Sequence, residues 1–361
     1  MSGSVYKTIS EDIIRMLESG ELMSGAKIPS VSDIRRKYNV SHITALKALK
    51  KLALEKFIRF EPGKGYFAGS GDTARINGIV ACLIRPSWET NDRDNYFNDI
   101  NQAIENKLME NAFSAIKPWC CRFLMNHHPS EEMLEQIKRK AAELDPSVDG
   151  FLLDERIPDN VISELKNKLL KPLVIVNRKS GAGVDTVSPD NLGGARTAVE
   201  ICLKMGYKKF LVGNVFADVV NHEERTAGFL EALSKAGISD KNIICFEISR
   251  RPYEEEFAPM EKHIGGPEKT MIFSPIDYFA RWAADTLAAR GVVFGDKVGV
   301  MGFDSMTMAS VRRPLLATMD VSASKIGAMA ADTIIGNINK RMTAQGQNYS
   351  PEAVFKMGET L

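Results

Sequence analysis

Residues 29–67 read PSVSDIRRKYNVSHITALKALKKLALEKFIRFEPGKGYF, and this stretch decides the fold. Ser30 or Ser32 is placed to cap a short helix carrying Ile34, Arg35, Arg36 and Tyr38. Asn39-Val40 makes a tight turn, and Ser41 caps a second helix. In that helix Ala45, Ala48, Leu49 and Leu52 recur at the spacing of one buried stripe, while His42, Thr44, Lys47, Lys50 and Lys51 fall on its other faces. Phe57-Ile58-Arg59-Phe60 alternates as a strand, Glu61-Pro62-Gly63-Lys64-Gly65 turns it, and Tyr66-Phe67 returns. A basic helix alone would read as a solvated helical hairpin. Helix, turn, basic helix and a Gly-x-Gly hairpin together predict a helix-turn-helix with a wing.

Outward from this stretch, Ile9, Ile13, Met16 and Leu17 lie at helical spacing and supply a first helix, which Gly20 and Gly25 end. Residues 1–70 hold 12 Lys and Arg against 7 Asp and Glu, in a chain whose net charge is +1. A basic head on a mildly acidic body suits a polyanion-binding module attached to something else. Ala68-Gly69-Ser70-Gly71-Asp72, small and polar, reads as the linker.

From Ile76 strands and helices alternate. The runs at 79–84, 113–116, 150–153 and 172–176 read as strands, with helices at 100–111, 131–144 and 161–169 between them. After Gly181-Ala182-Gly183 the rhythm restarts, with strands at 209–213, 243–248, 271–273 and 298–301 and helices at 191–205, 223–236, 253–263 and 278–290. Continuous apolar strands alternating with helices imply parallel sheets covered on both faces. Two such units predict two lobes, and ligands of open α/β sheets bind beyond the carboxyl ends of strands. The candidates there are Pro86 to Trp88, Asn177-Arg178, Ser274 to Asp277 and Phe303-Asp304.

The composition is that of a globular chain, with 44% hydrophobic and 26% charged residues in 361. Cys82, Cys120, Cys121, Cys202 and Cys245 show no C-x-x-C spacing and are expected to be reduced, mostly core thiols. There is no apolar signal stretch and no run of 18 apolar residues, so neither export nor membrane insertion is expected, and the cytoplasm is the expected compartment. No G-x-S-x-G, Walker loop or zinc motif occurs, which argues against an enzyme, and no cofactor is expected. His127-His128 has no partner at metal-ligand spacing and is expected in a solvated loop.

Two family resemblances follow from these residues. Gly20-x4-Gly25-x3-Pro29-Ser30, Val40-Ser41-x2-Thr44, Ala48-Leu49-x2-Leu52 and Gly63-x-Gly65-Tyr66-Phe67 resemble the winged-helix domain of the GntR family of bacterial transcription regulators. Where that family usually carries arginine, this chain has Ser32, His42 and Leu46. The resemblance implies a DNA-binding surface of Ser30, Ser32, Arg35, Arg36, Ser41, His42, Thr44, Leu46, Lys47, Lys64 and Gly65. Leucine can pack on a thymine methyl where arginine would fork onto guanine, so the half-site is expected to be poorer in guanine and richer in thymine than those read by arginine-bearing relatives.

Val148-Asp149-Gly150-Phe151, Asp190-Asn191-x-Gly193-Gly194-Ala195, Arg225-x2-Gly228-Phe229, Asp277-x2-Ala280, Val300-Met301-Gly302-Phe303-Asp304 and Gly327-x2-Ala330 occur in the order seen in the effector domain of LacI-type repressors. Periplasmic sugar-binding proteins share that fold. The chain thus resembles chimeric regulators with a GntR head and a LacI-like body, of which arabinose-responsive repressors are examples.

The resemblance implies an effector site of Trp88, Tyr96, Phe97, Asn177, Arg178, Arg225, Phe273, Asp277 and Asp304. Arg225 is expected to open its helix and fork onto sugar hydroxyls, and Phe273 to stack on a ring.

The expected architecture is α/β, a small winged helix-turn-helix head plus a two-lobed periplasmic-binding-protein-like domain of parallel sheets flanked by helices. Its expected bounds are a head at 1–69, a linker at 70–75 and a body at 76–361. Within the body, lobe 1 is expected at about 76–180 and 305–341 and lobe 2 at about 181–304 and 342–361. The expected function is a DNA-binding repressor controlled by a small polar effector, a sugar or its derivative. It is expected to act as a homodimer on an inverted-repeat operator. The competing reading is a cytoplasmic sugar-binding module without transcriptional output.

Overall fold

The computed structural model describes residues 2–19, 21–23, 25–54, 57–61, 64–69, 78–86, 96–216, 219–248, 253–339 and 346–361. The chain divides into two compact units, Met1–Asn77 and Gly78–Leu361. The expected linker at 70–75 lies outside the described residues, as do Gly20, Pro62 and Gly63.

The first unit comprises α1 (Ser2–Glu18), α2 (Val31–Tyr38), α3 (His42–Leu54) and the hairpin β1 (Ile58–Glu61) and β2 (Gly65–Ala68). Ser30, not Ser32, caps α2. Its Oγ accepts from the Asp33 N–H at 3.2 Å, and the Asp33 carboxylate accepts from the Ser30 N–H at 3.1 Å, a reciprocal capping box. Asn39 ends the helix at φ 50°, a left-handed position that asparagine tolerates. Ser41 Oγ accepts from the Thr44 N–H at 3.1 Å and starts α3.

Ala45, Ala48, Leu49 and Leu52 are fully buried against Ile9, Ile13, Ile34 and Ile58, so the apolar stripe read from the sequence forms the small core. The Tyr38 hydroxyl donates to Asp12 at 2.9 Å and ties α2 to α1. The antiparallel hairpin runs from the Ile58–Ala68 pair to the Glu61–Gly65 pair, with Gly65 at φ 106° where a side chain would be strained.

Among the described residues the second unit holds two six-stranded sheets. Its elements in chain order are β3 (Gly78–Leu83), α4 (Tyr96–Glu110), β4 (Phe113–Ile116), α5 (Glu131–Leu144), β5 (Gly150–Asp154), α6 (Asp159–Lys168), β6 (Leu173–Val176) and β7 (Asp185–Val187). Then follow α7 (Asn191–Lys204), β8 (Lys209–Val215), α8 (Val220–Lys235), β9 (Ile243–Ile248), α9 (Glu254–Glu261), β10 (Thr270–Phe273), α10 (Asp277–Ala289) and β11 (Val298–Phe303). The last are α11 (Thr307–Val311), β12 (Ala317–Asp320), α12 (Ala323–Ile338), β13 (Asn348–Tyr349) and β14 (Val354–Lys356).

The first sheet has the order β13-β7-β6-β5-β3-β4 and is parallel throughout. The second has the order β14-β12-β11-β10-β8-β9, with only the edge strand β14 antiparallel. Helices cover both faces, which is why β5, β6, β10 and β11 are buried along their whole length. Helices α4 and α12 approach closely at Gly327, where a Cβ would stand 2.3 Å from the Ile100 carbonyl oxygen, so only glycine fits.

The chain crosses between lobes at other points than the expected 181, 305 and 342. β7 pairs with β6, which keeps residues 185–187 in the first sheet, and β12 pairs with β11 in the second. β13 returns to the first sheet beside β7. The glycines at 181 and 183 punctuate a turn inside the first lobe, after which the short β-branched run at Thr186-Val187 adds a strand. The Asp185 carboxylate holds that strand's neighbours, accepting from the Asn337 side chain at 2.8 Å and the Gln347 N–H at 3.0 Å.

Cys82, Cys120, Cys121 and Cys202 are buried free thiols, and Cys245 is an exposed one on the edge strand β9. Among the described residues no helix is long and apolar enough to cross a membrane.

Candidate functional site

The carboxyl ends of β3, β5 and β6 from the first sheet and of β8, β10 and β11 from the second line one cleft of about 820 Å³. This is the place where an open α/β architecture takes a ligand. Its floor is built from paired charges.

In the second lobe, Arg225 stands in the second turn of α8 rather than opening it, because the helix begins at Val220. Its guanidinium is buried and contacts Asp304 at 2.7 Å. Nε donates to Asn191 at 2.8 Å, a terminal nitrogen donates to the Pro275 carbonyl at 2.8 Å, and the group lies over the Phe303 ring at 4.4 Å. Asp304 follows β11 at φ 99°, a strained position for a non-glycine residue.

In the first lobe, Arg85 follows β3 and forks onto Asp154, with its Nε at 2.9 Å and a terminal nitrogen at 2.6 Å, and reaches Glu155 at 2.8 Å. The Phe97 ring lies 3.9 Å from the same guanidinium. Burial pushes the Asp154 carboxyl up, but the Arg85 charge and hydrogen bonds outweigh it and hold the group below the usual range. For Glu155 burial prevails over Arg85, and the neighbouring Asp154 adds to it, so its carboxyl is raised.

Glu155 is also the junction between lobes. It accepts from Asn177 of the first lobe at 2.7 Å and from Asn221 of α8 at 3.2 Å. Asn221 further donates to the Asn177 carbonyl at 2.7 Å, and Lys179 pairs with Glu224 across the same seam at 2.9 Å. The Tyr96 hydroxyl donates to Asn177 at 2.6 Å.

His222, one residue past Asn221, bonds through Nδ1 to the Val215 carbonyl at 2.9 Å. A carbonyl only accepts, so Nδ1 carries the proton. Burial first and the nearby Arg225 second push the ring down to about 3, which keeps it neutral at physiological pH.

The structure brings Tyr96, Phe97, Asn177, Arg178, Arg225 and Asp304 to the cleft. Arg178 is spent on scaffolding there, donating at 2.7 Å to the Glu155, Lys179 and Ile157 carbonyls and to Asp159. Trp88 lies outside the described residues.

Two residues of the expected effector site, Phe273 and Asp277, do not line the cleft, nor do the strand-end candidates Pro86, Ser274, Pro275 and Phe303. Phe273 is fully buried and stacks on Phe229 with ring centroids 3.8 Å apart, because its place on β10 aims it into the layer between sheet and α8. Asp277 sits behind Asp304, accepting from the Met306 N–H at 2.8 Å and from the Thr318 hydroxyl at 2.7 Å. It latches β12 and the turn after β11, and burial raises its carboxyl well above the usual range.

Sequence reasoning missed Arg85, Glu155, Asn221 and His222 as cleft residues. Glu155 directly follows β5 and Arg85 stands two residues past β3, so the strand-end rule applied to every strand finds them. Asn221 and His222 were hidden because α8 has no side-chain cap to mark its start. His127 and His128 also border the cleft, with the His127 ring 5.7 Å from Phe216. Among the described residues no group of three or more His, Cys, Asp and Glu is placed to hold a metal.

In the first unit, Ser32, Arg35, Arg36, Ser41, His42, Lys47 and Lys64 are exposed, whereas Thr44, Leu46 and Gly65 are half-buried. Ser30 is exposed as well, with its side chain engaged in the α2 cap. Arg36 is paired with Asp33 at 2.6 Å.

A winged helix-turn-helix head on a two-lobed α/β body with a charge-floored cleft defines a class, that of a nucleic-acid-reading fold joined to a small-molecule-receptor fold. Residues 5–67 match bacterial regulatory proteins of the gntR family, and residues 82–357 match periplasmic binding proteins and sugar binding domain of LacI family. The chain belongs to the latter family through its body and carries a GntR-type head.

It is 25% identical over 201 residues to the HTH-type transcriptional regulator CelR of Thermobifida fusca, covering 54% of this chain and 58% of that one. It is 21% identical over 378 residues to the arabinose metabolism transcriptional repressor of Geobacillus stearothermophilus, covering 97% and 96%. The match therefore spans under two thirds of the first of these relatives and nearly all of the second. A solved structure of the transcriptional regulator CelR-cellobiose complex superposes with a TM-score of 0.65 at 20% identity, over 91% of this chain and 94% of that one.

Proposed function

We propose that this protein is a cytoplasmic transcription regulator, a repressor and not an enzyme, whose affinity for double-stranded operator DNA is set by a sugar or sugar derivative held in the cleft. The observation that carries it is the combination in one chain of a basic recognition helix, α3, and a cleft floored by the Arg225–Asp304 pair. Nε and one terminal nitrogen of Arg225 donate to Asn191 and Pro275, and the other terminal nitrogen lies 2.7 Å from Asp304, which leaves N–H groups of the two terminal nitrogens for ligand oxygens. Asp304 offers acceptors beside them, Asn177 and Asn221 face them from the seam, and Phe97 and Phe216 supply apolar walls. Adjacent hydroxyls above an apolar ring face fit such a lining.

A ligand that favours one arrangement of the lobes shifts the population that binds DNA, and DNA shifts ligand affinity by the same factor. The reader is a homodimer on an inverted repeat, since one head offers few base contacts. The effector-binding residues are Tyr96, Phe97, Asn177, Arg225 and Asp304. The relatives named as transcriptional regulators support this reading over a sugar-binding module without output.

The DNA side is tested by salt dependence. Lys47 and Lys64 are exposed on α3 and beside the wing, and each phosphate they neutralise contributes roughly −0.9 to the slope of log affinity against log salt. Replacing both by alanine is expected to flatten that slope by about 2. An unchanged slope would remove them from the interface. On the ligand side, a thermal-shift screen of sugars and sugar acids should find a compound that stabilises the protein by about 2.7 kcal/mol at 100 times its dissociation constant.

A further inference from the structure

We propose that Ile43 is a specificity-determining residue that packs on the 5-methyl group of a thymine in the major groove. This rests on the DNA-reading function proposed above. Ile43 is 75% exposed, although it stands in the first turn of a helix whose other face is fully buried. One exposed isoleucine is ordinary on a protein surface. Its position is the informative part.

At about 100° per residue, Ile43 lies roughly 170° from the centre of the Ala45–Ala48–Leu49–Leu52 stripe. It points straight away from the core. Lys47 and Lys50, both exposed, lie within about 40° of it on the same face. Leu46, expected from the sequence to meet a thymine, is half-buried at the flank. His42 is exposed on the same flank, about 40° from Leu46.

The outermost line of α3 is thus one apolar side chain at the helix N-terminus followed by two cations. The N-terminal residues of a recognition helix are the ones that reach base edges, while lysines take phosphates. Flanking lysines disfavour an apolar protein surface as the partner of Ile43 and favour a polyanion. Among base edges in the major groove, the thymine methyl is the apolar group.

The test uses the full chain and a duplex obtained by binding selection. Each thymine of the selected half-site is replaced in turn by uracil, which removes the methyl and keeps the pairing and the O4 acceptor. Burying one methyl corresponds to about a fourfold change in affinity. Wild type is expected to lose about fourfold at one position, and Ile43→Ala is expected to bind the thymine and uracil duplexes equally there. Uracil tolerated by wild type at every position, a selected half-site without thymine, or an Ile43→Ala variant with the wild-type preference would overturn the proposal. Wild type that shows no salt-dependent DNA binding at all would overturn the DNA-reading function, and the role of Ile43 with it. The first three outcomes leave that function standing.

Discussion

Replacing Arg225 by alanine is expected to lower the melting temperature of the body by about 10 °C and to abolish its stabilisation by effector. Removing one partner of a buried ion pair strands the other, at a cost of about 3–5 kcal/mol. Here the stranded group is Asp304, whose side chain is 6% exposed and whose partner guanidinium stands 2.7 Å away. For a domain of this size each kcal/mol shifts the melting point by about 2–4 °C. The Asn191 side chain and the Pro275 carbonyl lose a donor as well. The head is a separate compact unit, so nonspecific DNA affinity should survive the change. Scanning calorimetry with and without the effector reads both quantities. A variant that keeps the wild-type effector shift would show that Arg225 only supports the floor.

Arg85→Ala carries the other large effect, in the first lobe. Its guanidinium serves Asp154 twice and Glu155 once, and all three groups are buried or nearly so. Lysine is a poor substitute because it lacks the planar fork. The expected loss is about 3–5 kcal/mol at neutral pH, and it should depend on pH with a definite sign.

In the wild type Asp154 titrates below the ordinary carboxylate range, so its contribution to stability is full above the unfolded value and is lost as pH falls through the lowered one. Without Arg85 the same burial raises the carboxyl. Its contribution is then present at low pH and lost as pH rises. The gap in melting temperature between wild type and Arg85→Ala should therefore widen from pH 4 to pH 7. A gap that is constant across that range would mean that the carboxylates do not depend on Arg85 for their charge.

Short-range signals made the head legible. Ser30 with Asp33, Asn39 and Ser41 each act within four residues, and the α3 stripe needs one helix to be seen. The long strands of the body were equally plain as apolar runs. The lobe boundaries were not, because β7, β12, β13 and β14 have two to four residues each and carry little pattern.

Family resemblance pointed to Arg225 and Asp304, and the structure supplies their contact. The same resemblance also pointed to Phe273 and Asp277, since matching a position does not tell which side of a strand end a side chain faces. Arg85 and Asp154 meet over a separation of 69 residues, which no local pattern records.

The cleft and α3 are expected to be thermodynamically linked. The most direct measurement is the affinity of the full chain for its selected operator, titrated with the sugar that the thermal screen identifies. Saturating sugar is expected to change operator affinity, and operator to change sugar affinity by the same factor. Tight sugar binding that leaves operator affinity unchanged would contradict this linkage.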